Sequence, residues 1–518
     1  MKGRQKADEE DRTKVLLFSE FLTIVVEQIL WYDTVDLLLS QDFEASKSEK
    51  QPENKKVPEG AAMDHKNFER FDMAKPPVRT KWYLRPLTIM LSLPDVWKHR
   101  AKITKVRTEG LKPPYVLLCN HNAFMDFKVA TKAIFPSRAN YVVAIDGFIG
   151  REKLLRNVGC ICKRKFTNDI VLVRQLSRVI KNGDIAVIYP EARYSLCGTT
   201  AVLPESIGKL CKLLKVPVVT MICHGHHVNS PFWNLHDRGI KPTEAEMTCI
   251  FTPEELAKAS VDEVNAKILE MFQYDDFAWQ KERGIATKYK GHAEGLHKVL
   301  YQCPACGTEF RMNSKGMKLF CEACGASWTL SPLSELSRDG EVETKTADAA
   351  AKTTAAGGGT VSGSMKPGTA DTKGFDLTHI PDWYEWERAN VRAEVEAGTY
   401  SSGDLEVHVD SLPNAKKFVR LGNGTMRHDM TGFHVSGTDD EGNPFSMEIA
   451  AETQYSVHIE YEYLGKYGDC VDLNTLEDTW YTYPHGKDFA ITKMALATEE
   501  LYFHYRRLAG KPCKPGLA

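Results

Sequence analysis

The chain has 518 residues, more than one hydrophobic core serves, so several domains are expected. With 42% hydrophobic and 26% charged residues it has a globular composition, which sets aside disordered and integral-membrane classes. Lys+Arg 67 against Asp+Glu 69 leaves a formal net charge of -2, which speaks against a general nucleic-acid binder.

The 13 cysteines are odd in number and mostly scattered, the usage of a reducing cytoplasm rather than of a disulfide framework. The start, "MKGRQKADEEDRTK", carries no small-residue cleavage site behind an apolar core, so no signal peptide is expected. From Val15 to Leu39 the chain is apolar but broken by Glu20, Glu27, Asp33 and Asp36. It is too charged to span a bilayer and reads as an amphipathic helix pair. Residues 41–75 are charged and proline-bearing, so 1–75 is expected to be a helical segment followed by a loose linker. Next comes "KWYLRPLTIMLSLPDVWKHRAK", basic at both ends and aromatic and apolar between. Two readings stand: an interfacial segment with Trp82, Tyr83 and Trp97 at headgroup depth, or a core helix packed on a sheet.

Residues 76–298 are expected to form an α/β domain with a mostly parallel sheet. Short β-branched runs ("YVLLCNH", "NYVVAI", "DIAVIYP", "VPVVTMI") alternate there with helical stretches such as "DFKVATKAIF" and "DIVLVRQLSRVIKNG". Parallel sheets do chemistry at the carboxyl ends of their strands. "YVLLC" ends on Asn120-His121, and Asp126 falls in the first turns of the following helix, within reach of His121 Nδ1. A carboxylate there fixes the imidazole tautomer and leaves Nε2 to take a proton, so the pair reads as a general base and its orienter. Cys119 ends an apolar strand and reads as a small buried hydrophobe rather than a nucleophile. "GCICKRKF" places Arg164 and Lys165 after a glycine, and "IYPEARYS" brings Glu191 and Arg193 off another strand. In "CHGHHVN" residues alternate between faces. Cys223, His224, His226 and His227 are therefore not expected to converge on one metal, and read as a histidine-lined strand end.

Cys303, Cys306, Cys321 and Cys324 are spaced C-x2-C-x14-C-x2-C, each pair followed by glycine, the spacing of a structural Zn²⁺ ribbon over 299–332. Residues 333–378, rich in Gly, Ala and Thr, read as a flexible linker. Over 379–518 a helix, started by an Asp382–Glu385 capping box, is followed by alternating strands and a final helix at about 490–508. This is the pattern of a separate α+β domain whose element order resembles pleckstrin-homology-like barrels.

Four blocks, "NHNAFMD", "GCICKR", "PEARYS" and "VPVVTMI", stand in order between about 117 and 225. They resemble the ordered motifs of the glycerolipid (lysophospholipid and 1-acylglycerol-3-phosphate) acyltransferase family. The first block matches fully. In the third, Ala192 stands for the family's glycine and Tyr194 for its arginine, with Arg193 one residue early; the second is one residue short. The resemblance implies that His121 is the catalytic base, Asp126 its partner and Glu191 part of acceptor binding. Arg193, Arg164 and Lys165 are the candidates for the acceptor phosphate. It further implies direct transfer from an acyl-CoA or acyl carrier protein thioester, the co-substrate, to a lysophospholipid, with lysophosphatidic acid foremost. The expected setting is cytoplasmic, peripheral at the inner face of the membrane, with no nucleic-acid partner. Another lysophospholipid or an alcohol as acceptor, or an idle binding protein that uses the ribbon and C-terminal domain, are the alternatives.

Overall fold

Short apolar runs between turn residues become the seven strands of the first sheet in a computed structural model that describes residues 69–340, 372–462, 467–511, 513, 516 and 517. They are β1 (Lys102–Val106), β2 (Val116–Cys119), β3 (Ala139–Ala144), β4 (Ile161–Lys163), β5 (Ile185–Ile188), β6 (Val218–His224) and β7 (Glu244–Phe251). Their order is β1-β7-β6-β2-β5-β3-β4. Every neighbouring pair is parallel except β6 with β7. β2 and β5 are buried along their whole length, which is why "VLLC" and "IAVI" are apolar without alternation. Leu176, Val179, Ile207, Cys211, Val264 and Ile268 bring three helices onto one face of this sheet. β2 and β6 run side by side in the same direction, with Cys119 opposite Met221. The chain therefore leaves both strands at the same end of the sheet.

The cysteine-rich segment forms a four-stranded antiparallel sheet of β8 (Met312–Lys315), β9 (Lys318–Cys321), β10 (Ser327–Leu330) and β11 (Leu336–Arg338). β11 lies in the stretch read from sequence as linker. Leu336 is buried and its N–H donates to Thr378 O at 2.8 Å, so polar text around one buried leucine continues the sheet.

The C-terminal part has a helix at Ile380–Glu396 and seven antiparallel strands, β12 (Leu405–Ser411), β13 (Val419–Asp429), β14 (Gly432–Thr438), β15 (Pro444–Ala450), β16 (His458–Glu460), β17 (Cys470–Asn474) and β18 (Thr479–Pro484). A helix at Ile491–Leu508 closes it. Strand order is β15-β14-β13-β12-β18-β17-β16, an open sheet whose end strands are not paired with one another. The expected capping box does not form. The first helix starts at His379 with Pro381 in its first turn, Asp382 faces His379 Nδ1 at 3.4 Å, and Glu385 accepts from Arg388.

Contacts cross two of the boundaries expected from sequence. Among the described residues a single apolar cluster runs from Trp233 and Phe277 through Leu319 and Trp328 to Trp383, Val407 and Leu496. Ribbon and C-terminal sheet therefore share an apolar cluster with the first sheet's neighbours. Residues 69–75 are also anchored: Phe71 is buried with its N–H on Pro413 O, and Arg70 pairs with Asp478 at 3.0 Å. The expected helix pair between Val15 and Leu39 lies outside the described residues, as does most of the expected linker.

Candidate active site

His121 leaves the end of β2, and Asp126 sits in the first turn of the helix Met125–Ile134. Nδ1 of His121 is 3.4 Å from Asp126 Oδ2, which also accepts the N–H groups of Asn122 (2.6 Å) and Ala123 (2.9 Å). The loop between motif and helix is thus wrapped around one buried carboxylate. The other oxygen, Oδ1, is 2.5 Å from Nδ1 of buried His226. Burial raises the Asp126 pKa, but the hydrogen bonds of His121 and His226 prevail and hold it at about 2. Asp126 is therefore an anion clasped by two imidazoles.

His226 is the residue that sequence reasoning did not assign. It lies in the turn His226–Asn229 just past β6, whose amides are gathered by Asp276: Oδ1 takes Gly225 N at 2.9 Å and Oδ2 takes His227 N at 2.8 Å. Gly225 is required at the start of this turn. Its φ is +85°, and a Cβ there would meet the Trp279 ring at 2.7 Å. Of the "CHGHHVN" residues, Cys223 and His226 do bring ligand atoms within 4.8 Å of each other and of Asp126. His224 stacks on Trp279, and His227 packs against Trp233 and Phe277. The run itself was the available signal; which histidine meets Asp126 is decided by the turn.

Glu191 follows β5 and is fully buried. Oε2 accepts the backbone N–H of His121 at 2.7 Å, while Oε1 accepts Ala201 N at 3.0 Å and the Tyr274 hydroxyl at 2.9 Å. The Ser195 N–H donates to His121 O at 2.8 Å. The third block thus grips the backbone of the first. Between them, Ala192 holds φ at +56°, the left-handed conformation that suits the glycine of the related motif. The His121 ring lies between Tyr189 and Tyr194, with both centroids at 4.3 Å. Tyr194, at the position of the family's arginine, therefore covers the imidazole. Cys119 is buried, and burial pushes its thiol well above the ordinary range.

The three basic candidates are engaged with the C-terminal part of the chain, Arg164 and Lys165 around its sheet and Arg193 at its last helix. Arg164 is buried, donating from Nη1 to Leu412 O and Thr479 Oγ1 and from Nη2 to Pro413 O and Glu477 O. Lys165 lies 3.2 Å from Asp146 and 3.3 Å from Asp472. Arg193 Nη2 donates to Glu499 Oε1 at 2.7 Å, and Glu499 is also bound by Arg388. The expectation that one of these cations holds the acceptor phosphate meets a physical obstacle, since each is already buried against acceptors of its own chain.

A family model described as Acyltransferase matches residues 99–224, the stretch that contains His121, Asp126, Glu191 and the turn approach to His226. Residues 99–224 are thus an acyltransferase domain. No curated protein matches it. Among solved structures it is similar to the 1-acyl-sn-glycerophosphate (LPA) acyltransferase PlsC from Thermotoga maritima. The identity is 13% and the TM-score 0.32, over 40% of this chain and 82% of that one.

Two further features of this acyltransferase accompany the site. The Sγ atoms of Cys303, Cys306, Cys321 and Cys324 all lie within 4.8 Å of one another. The pairs Cys303–Cys324 and Cys306–Cys321 stand 3.8 Å apart. A tetrahedron of thiolates about 2.3 Å from Zn²⁺ has edges of roughly 3.8 Å, so the four residues fit that ion. Gly307 and Gly325 follow the two knuckles with φ of +74° and +76°, each N–H returning to the first cysteine's carbonyl. The helix Leu84–Lys98 buries Leu84, Leu87 and Val96, while the adjoining Trp82 is 74% exposed, Met90 57% and Trp97 64%. Among the described residues no helix is long and apolar enough to cross a membrane.

Proposed function

We propose that this acyltransferase moves a fatty acyl group from an acyl-CoA or acyl carrier protein thioester to the hydroxyl of a glycerol-phosphate-type acceptor, lysophosphatidic acid foremost. The observation that carries the reading is the His121–Asp126–His226 constellation at the sheet's carboxyl end. With Asp126 held ionised, the His121 Nδ1–H is its donor and Nε2 is left as the base. Nε2 takes the proton of the acceptor hydroxyl as its oxygen bonds to the thioester carbonyl carbon. The carbon–sulfur bond then breaks, and the leaving thiolate takes that proton from the imidazolium. Tyr189 and Tyr194, with ring centroids 4.3 Å from that of His121, stabilise its transient charge. Glu191 acts through the backbone of His121 as a positioning residue.

Around this centre the four cysteines hold a structural Zn²⁺ that braces the ribbon. Exposed Trp82, Met90 and Trp97 give a surface suited to the headgroup layer, so the protein works peripherally at the inner, cytoplasmic face of a membrane. A second reading keeps the reaction but replaces the acceptor with another lysophospholipid or an alcohol. The engagement of Arg164, Lys165 and Arg193 favours it.

An activity panel that crosses acyl-CoA and acyl carrier protein donors with lysophosphatidate, other lysophospholipids and monoacylglycerol tests both. His121→Ala is expected to lower turnover by about a thousandfold with the circular dichroism spectrum unchanged. Near-normal turnover in that variant would sink the mechanism.

A further inference from the structure

The segment between β6 and β7 holds a second group of polar side chains whose needs the fold leaves unmet. Arg238 is 4% exposed, and its Nε and Nη2 are buried with no hydrogen-bond partner among the described residues. No described carboxylate pairs with it, and its neighbour Asp237 is held by Lys98 and His99. The guanidinium lies 6.0 Å from the centroid of the Trp233 ring, whose indole N–H is likewise buried without a partner. His227, fully buried, packs its ring 5.0 Å from Trp233, and both its nitrogens lack partners. The Arg238 backbone is fixed on both sides, its N–H on Asn229 O and its O on the Thr287 hydroxyl, so the side chain is held in place.

A guanidinium buried without a counter-charge costs several kcal/mol, and unpaired buried donors are rare in native folds. Burial pushes Arg238 down to about 9. Burial, with the Arg238 charge, pushes His227 down to about 3, so the imidazole is neutral and offers one N–H. The packed group therefore holds a cation and two neutral donors, a set that matches an anion of several oxygens. Its place is beside the reacting centre. His227 follows His226, which touches Asp126, and Trp233 follows Phe232, whose ring stands 5.6 Å from Tyr194, itself 4.3 Å from the His121 ring.

We propose that Arg238, Trp233 and His227 form a subsite for a phosphate-class oxyanion carried by a substrate of the acyl-transfer reaction, the acceptor headgroup first. This rests on the acyl-transfer reading above, and it supplies the cation that Arg164, Lys165 and Arg193 do not.

The test uses the full chain and inorganic phosphate as probe. Phosphate is expected to raise the melting temperature of the native sequence and of His121→Ala alike. Arg238→Met should melt higher than the native sequence without phosphate, because an unpaired charge is gone, and should lose the phosphate response. In kinetics, Arg238→Met is expected to raise KM for lysophosphatidate by about tenfold or more, with KM for acyl-CoA nearly unchanged. A rise in the acyl-CoA KM instead assigns the oxyanion to the donor. A phosphate response that survives Arg238→Met overturns the subsite. Should that variant not fold, Trp233→Phe removes only the N–H and must weaken phosphate binding several-fold; unchanged affinity overturns the proposal equally. Because the melting comparison needs no turnover, an inactive native protein would defeat the acyl-transfer reading and leave the subsite to be judged on phosphate alone.

Discussion

Asp126 serves two imidazoles and two backbone amides with one carboxylate, and that division sets what each neighbour contributes. The bond from His226 fixes Oδ1 and so aims Oδ2 at His121. His226→Gln keeps a donor but not the ring that fills this place. It is expected to lower kcat by roughly ten- to a hundredfold with little change in either KM, the mark of a positioning residue. A rise in KM at constant kcat would instead place His226 on the substrate.

Glu191 gives a second prediction at this scale. Burial raises its pKa from 4.5 to about 7, against the hydrogen bonds from Ala201, His121 and Tyr274. Asp276 is likewise raised, by burial, to about 7. Between pH 4.5 and 7 the folded protein therefore binds more protons at these carboxyls than the unfolded chain. Their contribution to stability is full at low pH and is lost as pH rises through that window. For Glu191 the total is on the order of 3 kcal/mol. Glu191→Gln should reduce the fall in stability between pH 5 and 7 by up to about 1.4 kcal/mol per pH unit, read from denaturant midpoints. Identical slopes in variant and native protein would refute the raised pKa.

Among the elements, the ribbon's hold on the rest of the molecule is decided at its knuckles. Cys303 and Cys321 belong to the same apolar cluster as Trp328 and Trp383, so the proposed Zn²⁺ closes one edge of a shared core. A chelator is expected to remove one zinc per chain and to speed hydrogen exchange over β8–β10 and the helix Ile380–Glu396, with β2 and β5 less affected. Metal analysis that finds no zinc, or zinc retained after Cys303→Ser with Cys321→Ser, rules the ion out. At the same scale, β11 shows how a strand hides in linker-like text. Its pairing with β10 and the contact of Leu336 with Thr378 hold it, and three residues carry too little periodicity to announce it.

For the whole molecule, the C-terminal sheet is docked through residues of the family's own motifs. Arg193 is bonded to a partner 306 positions away, and Arg164 to partners between 248 and 315 positions away. Arg193→Ala leaves Glu499 with Arg388 and Ser456 but removes a buried pair. It is expected to destabilise the chain by about 3 kcal/mol while the KM of the acceptor stays within about twofold. A tenfold rise in KM at native stability would return Arg193 to the acceptor site, as the motif alone suggests.

What the sequence determined by itself about this acyltransferase is whatever has a local cause. Alternating apolar runs make the parallel sheet, and the five-residue step from His121 to Asp126 spans one strand end and one helical turn. The C-x2-C pairs close on themselves through local backbone N–H to carbonyl hydrogen bonds. The tertiary structure decided the rest. It chose His226 for Asp126 across 100 residues, turned Tyr194 onto the imidazole, and bound Arg164, Lys165 and Arg193 to C-terminal residues more than 200 positions later. It also left two guanidinium nitrogens of Arg238 buried with no hydrogen-bond partner among the described residues. The pairing of a charge depends on which distant groups burial brings within a few ångströms, and no pattern of neighbours along the chain records that distance.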